Sequence, residues 1–192
     1  MSNKKINLSV RLQQAALALF HEQGYDRTTA AEIAARAGVT ERTFFRYFPD
    51  KREVLFQGEA TLRTALEAAI CDAPATLDPL AVLFQAFRSV EALLEANRPY
   101  SEPRHQVISS TPALYERELA KTAALAKDLA AALRNRGVEE LRAELAARAG
   151  MAAFVHAVVS WLEDPNIALG QRLEAAHSEL KALVNEGSAT AS

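Results

Sequence analysis

The chain has 192 residues, with 22 Lys and Arg against 24 Asp and Glu, and 49% of it is hydrophobic, much of that alanine and leucine. That length allows one or two domains with a substantial core, and seven glycines, seven prolines and no alternating strand runs leave helix as the dominant structure. A lone cysteine, Cys71, excludes an internal disulfide, and no signal-peptide core and no apolar run of the roughly 20 residues a bilayer crossing needs is apparent, so a cytoplasmic location with no membrane partner is expected.

In chain order, Leu12, Ala16, Leu19 and Phe20 mark the apolar face of a first helix that Gly24 ends. Lys4, Lys5 and Arg11 lie before or within it, as a basic tail and solvent-facing charge. Thr29 stands three residues before Glu32, the reciprocal capping pattern, so a second helix starts there. Its small apolar stripe is Ala30, Ile33, Ala34 and Ala37, and Gly38 stops it. Thr40 then caps a third helix of about two turns that Pro49 breaks.

At about 100° per residue the two sides of that third helix separate. Phe44 and Phe48 fall together with Phe45 at their edge, while Arg42, Thr43, Arg46 and Tyr47 take the remaining arc. Two guanidiniums, a hydroxyl and a phenol suit phosphate oxygens and base edges. Over residues 1–60 there are nine Lys and Arg against seven Asp and Glu, leaving 13 against 17 beyond, so the head is modestly basic and the body acidic.

Asp50 and Glu53 repeat the capping idea and predict a fourth helix from Lys51 to about Cys71, in which the cysteine reads as inert packing. Pro79 suits the first turn of a fifth helix carrying Leu80, Leu83, Phe84, Phe87, Val90 and Leu94 and ending near Asn97. From Arg98 to Pro112, three prolines and the Ser109-Ser110-Thr111 run predict a short irregular helix between loops. Long helices are expected over 113–135, 139–163 and 167–184, giving an all-α chain of about nine helices.

The order of a first helix ending at Gly24-Tyr25 and then TTAAEIAARAGVTERTFFRYFPDKREVL (Thr28–Leu55) resembles the DNA-binding domain of the TetR (tetracycline repressor) family, with Ile33-Ala34, Ala37-Gly38-Val39, Phe48 and Lys51 in agreement. The resemblance implies an all-α fold: a three-helix helix-turn-helix DNA-binding domain over 1–55, a helical ligand-binding and dimerisation domain over 56–187, and a disordered tail over 188–192. It further implies that Thr29, Thr40, Thr43, Tyr47 and Lys51 contact DNA. To these the chemistry of the third helix adds Arg42 and Arg46. Two positions depart from the family, Arg42 where glycine is usual and Phe45 where a phosphate-binding tyrosine is common; the first adds a contact and the second removes one.

The long C-terminal helices carry Leu145, Ala149, Ala152, Ala153, Val155 and Val159, then Leu169, Leu173, Ala176, Leu180 and Leu183, more apolar length than a small body hides. A homodimer is expected, in which Gly150 and its small neighbours let helices approach closely. Phe84, Phe87, Tyr100, His105, Ile108, Tyr115, Phe154, His156 and Trp161 are the candidate lining of an apolar effector pocket, or simply core. No metal-ligand spacing and no cofactor motif occurs. The expected function is a dimeric regulator, most simply a repressor released from a near-palindromic operator in double-stranded DNA by a small apolar ligand. DNA-binding regulation without small-molecule control is the alternative. Enzyme activity is the remote one, since no catalytic constellation is present.

Overall fold

The computed structural model describes residues 2–189, with side-chain surroundings for 8–183. The expectations for the Lys4 and Lys5 side chains and for the last three residues of the tail lie outside the described residues. The described part is all-α: nine α-helices, one 3₁₀ turn and no strand. The helices are α1 Ser2–Gln23, α2 Ala30–Arg36, α3 Glu41–Tyr47, α4 Glu59–Asp72, α5 Pro79–Ser89, α6 Glu91–Ser109, α7 Pro112–Asn135, α8 Glu140–Glu163 and α9 Leu169–Ala189, with the 3₁₀ turn at Glu53–Leu55. Two compact units result, one of residues 1–59 with 99–117 and the other of 60–98 with 118–192. This division differs from the expected one at 55/56, since compactness assigns a stretch from the middle of the sequence to the first unit.

In the first unit Leu12, Ala16, Phe20, Ile33, Ala34, Phe44, Phe48, Val54, Leu55 and Phe56 form the core, joined by Val107, Ile108 and Leu114. The expected helix from Lys51 is corrected here. Asp50 does accept from the amides of Arg52 and Glu53 (2.7 and 3.1 Å), but only the 3₁₀ turn follows, and α4 starts at Glu59. A continuous helix would give the Leu55 carbonyl to the Glu59 amide. Arg104 Nε takes that carbonyl instead (2.6 Å), and Gly58 sits at φ +105°, a left-handed conformation that side-chain-bearing residues adopt only at a cost.

The second unit is built on Leu66, Ile70, Val82, Leu83, Phe84, Phe87, Leu129, Leu133, Ala143, Ala147, Met151, Leu169 and Leu173, with α5, α8 and α9 in mutual contact. The expected fifth helix is interrupted near Val90, and the expected irregular stretch at Arg98–Pro112 shrinks to Ser110–Thr111: α6 runs through Pro99 and Pro103. Those prolines lie four apart, so the carbonyls deprived of an amide belong to Glu95 and Pro99. Both residues are exposed, and water can take the orphaned acceptors.

Cys71 is exposed at the end of α4 rather than packed. Its carbonyl is one of four, with those of Ile70, Ala73 and Pro74, that the Arg136 guanidinium gathers at 2.8–3.1 Å, capping α4 with a single side chain from beyond α7. Gly150 is also reassigned. It faces α5, where an added Cβ would lie 3.1 Å from Leu83 and 3.7 Å from Phe87. Leu169 and Leu173 are fully buried within the unit. What α8 leaves open is the stripe Leu141, Leu145, Ala152 and Val155, and α9 leaves Leu183 open. By length and composition α8 is apolar enough to cross a membrane, contrary to the sequence expectation; nine of its residues, Phe154 and Trp161 among them, are buried in the unit's core.

Candidate nucleic-acid interface

Helices α2 and α3 are set by their own first turns. The Thr29 hydroxyl accepts from the Glu32 amide (3.2 Å), while the Glu32 carboxylate accepts from the Thr29 amide and hydroxyl (both 2.8 Å), which holds that carboxyl below its usual range. Thr40 accepts from the Thr43 amide (3.3 Å), and the two hydroxyls lie 3.0 Å apart. Arg11 reaches from α1 to the Ala37 carbonyl and closes over Gly38, whose φ of +68° makes the turn. Behind α3, fully buried Phe44 meets Phe48 at 5.4 Å between ring centres.

The front of α3 carries Arg42 and Arg46, both exposed. Thr43 and Tyr47 are half-buried, Tyr47 resting its ring against Phe48 while the Arg46 guanidinium lies 5.5 Å from the Tyr47 ring centre. Phe45 is half exposed, 50%, and so belongs to the open side rather than to the edge of the buried one.

The remaining arginines and lysines of the unit whose side chains are described are committed to protein acceptors. Arg11 is on the Ala37 carbonyl, Arg27 on the Gln23 carbonyl (2.6 Å) and Arg104 on the Leu55 carbonyl. Arg36 pairs with Glu22, Arg52 with Asp50 (2.8 Å) and Arg117 with Glu53 (2.8 Å). Among the described residues of this unit, Arg42 and Arg46 alone of the arginines and lysines have no hydrogen bond or ion pair. Sequence reasoning missed this division, because for Arg11, Arg36, Lys51, Arg104 and Arg117 it depends on acceptors 14 to 64 residues away.

Lys51 departs from expectation. Its ammonium donates to the carbonyls of Tyr25 (2.8 Å) and Thr28 (3.0 Å), with Asp26 O at 3.5 Å, and stands 4.1 Å from the Tyr25 ring centre. It does not open a helix, and its donors hold the connection between α1 and α2. Buried Thr28, also unremarked in the sequence, assists by donating to the Gly24 carbonyl (2.8 Å).

The candidate pocket residues divide between the two units. Tyr100, His105, Ile108 and Tyr115 belong to the first. There Ile108 is core, Tyr115 is half exposed, His105 is partly buried, and Tyr100 places its hydroxyl 3.5 Å from the Val54 carbonyl, burial pushing its pKa up to about 12. Phe84, Phe87, Phe154, His156 and Trp161 belong to the second. Phe87 stacks on Phe154 (4.4 Å) and meets Phe84 edge-on (5.6 Å), Trp161 is buried beneath the Arg98 guanidinium (4.5 Å), and His156 is exposed. His177, not singled out in the sequence, stacks on Phe84 at 4.2 Å. None of the nine lines the open cleft of about 480 Å³ bordered by Asp78, Arg136, Glu139 and Arg142.

Comparison with known proteins agrees with this geometry. Residues 12–57 match the model of the bacterial regulatory proteins of the tetR family, and residues 77–185 match the MftR C-terminal domain. The HTH-type transcriptional regulator TcmR of Streptomyces glaucescens is 41% identical over 80 residues, a match spanning 42% of this chain and only 35% of TcmR. Among solved structures, SmeT in complex with triclosan superposes with a TM-score of 0.66 at 23% identity, covering 92% of this chain and 91% of SmeT. Thermus thermophilus FadR, a transcriptional repressor in complex with lauroyl-CoA, gives 0.52 at 26% identity, covering 90% and 92%. With family models matched across the head and more than half of the whole length, the chain belongs to the TetR family of bacterial regulatory proteins.

Proposed function

We propose that this chain regulates transcription, not chemistry: two copies bind a near-palindromic operator in double-stranded DNA, and a small, largely apolar ligand releases them, so that the protein acts as a cytoplasmic repressor. The observation that carries the reading is the pair of uncommitted guanidiniums on α3, Arg42 and Arg46, in a unit whose other arginines and lysines, among those with described side chains, are bonded to protein. Thr29, Thr40, Thr43 and Tyr47 complete the proposed contacts. Lys51 acts through the α1–α2 connection. The dimer is supported by the open apolar stripe Leu141, Leu145, Ala152 and Val155 on α8. A twofold axis there would present two recognition helices to major grooves about 34 Å apart on one face of the DNA.

Apolar effector control is supported by the likeness to Thermus thermophilus FadR, which was solved with lauroyl-CoA. The reading of a regulator without small-molecule control draws on the packing of Phe84, Phe87, Phe154 and Trp161, four of the candidate pocket residues, into the core. A thermal-shift survey with acyl thioesters and apolar drugs separates the two, since only a ligand-controlled protein shifts its midpoint and loses operator affinity together.

For DNA binding, Arg42→Ala and Arg46→Ala are titrated by fluorescence anisotropy against a duplex enriched from a random library. Each variant keeps its helical circular dichroism and loses about 1–3 kcal/mol where the arginine reads a guanine bidentately. Unchanged affinity in both variants sinks the proposal.

A further inference from the structure

The recognition helix leaves one large apolar side chain in the open. Phe45 is 50% exposed, although a phenyl ring gains nothing from water and Phe44, beside it, is completely buried. The two rings meet edge-on at 5.5 Å, which fixes the direction in which Phe45 stands away from the core. At about 100° per residue, Phe45 lies about 60° round the helix from Arg42 and about 100° from Arg46, on the same outward arc as the two free guanidiniums. Neighbours three apart on a helix have Cβ atoms about 5–6 Å apart, so Phe45 and Arg42 reach positions one or two base pairs from each other at about 3.4 Å per step.

A phenyl ring has no donor or acceptor for a phosphate oxygen. In the major groove the apolar group it can meet is the C5-methyl of thymine. We infer that Phe45 is a specificity-determining residue that reads a thymine methyl within two base pairs of the base contacted by Arg42, once in each half-site. The inference rests on the DNA-binding reading above and deepens it: replacing a tyrosine by Phe45 exchanges a phosphate contact for a base contact.

The test uses the full-length chain and duplexes enriched from a random library. The recovered sites should share a thymine within two base pairs of the position whose preference Arg42→Ala relaxes. Replacing that thymine by deoxyuracil removes only the methyl, and the wild type should lose about fourfold in affinity, the worth of burying one methyl-sized group. Phe45→Ala should bind the thymine and deoxyuracil duplexes equally. Enriched sites lacking such a thymine, a wild type indifferent to the methyl, or a Phe45→Ala variant that suffers the same loss would each overturn the inference while leaving DNA binding intact. Failure to enrich any duplex is a different result, and overturns the DNA-binding reading together with this one.

Discussion

Replacing Lys51 with methionine keeps a side chain of similar length and deletes the ammonium. Two good hydrogen bonds go, to the carbonyls of Tyr25 (2.8 Å) and Thr28 (3.0 Å), together with the contact to the Tyr25 ring at 4.1 Å; the 3.5 Å approach to Asp26 counts for little. Hydrogen bonds from a charged donor are worth about 1.5–3 kcal/mol when well buried, and for half-buried Lys51 about 1 kcal/mol each is the fair figure. A cation over an aromatic ring adds about 0.5–1 kcal/mol at such a site. The variant should therefore lose about 2–3 kcal/mol in the absence of DNA, which for a chain of this size lowers the thermal midpoint by about 4–12 °C. Circular dichroism melts without DNA, set beside binding titrations at several salt concentrations, separate this role from direct contact. A variant that melts like the wild type, yet binds DNA more weakly with a salt slope reduced by about one, would show that the ammonium serves a phosphate and that the structural reasoning is wrong.

Three further outcomes are expected. Phe44→Ala, at a fully buried ring, should cost about 3–5 kcal/mol and expose the head to proteolysis while the helices of the second unit persist. Arg136→Ala should destabilise the second unit by about 2–4 kcal/mol in urea unfolding, with four carbonyls losing one charged cap, and Arg136→Lys should recover only part of this because an ammonium lacks the planar fork. The His177 pKa is lowered below its ordinary 6.5 by burial, aided by Lys181 and Arg88 and opposed by Asp78, and its Nε2 has no partner. The unfolded chain then takes up this proton first, so stability is whole above about pH 6.5 and falls as the pH drops through the folded value. Melts of His177→Phe across the same range should be flatter than those of the wild type, and parallel curves would contradict the assignment.

The first turns of the head were legible because they are local. The Thr29–Glu32 box and Thr40 before α3 each bond an amide three residues away, and such contacts follow from residue type and spacing alone. Phe44 and Phe48 were equally readable from helical periodicity. Phe45 was not: the angular step placed it at the edge of the apolar side, and whether an edge ring is covered depends on what the rest of the fold brings over it. Likewise, Pro99 and Pro103 read as a break by local rules, yet α6 continues through both, with the residues whose carbonyls lose an amide, Glu95 and Pro99, on its exposed side.

Composition, caps and periodicity thus determined by themselves that the chain is helical, where the recognition helix lies and which of its sides is buried, since these depend on interactions within a turn or two. Only the tertiary structure decided which cations remain available and which residues share a core. Arg104, Arg11 and Lys51 are taken up by carbonyls 23 to 49 residues away. The stretch 99–117 joins the head by burying Val107, Ile108 and Leu114. An arginine in a sequence is a charge with no stated partner, and the fold supplies or withholds the acceptor; here it withholds one from Arg42 and Arg46.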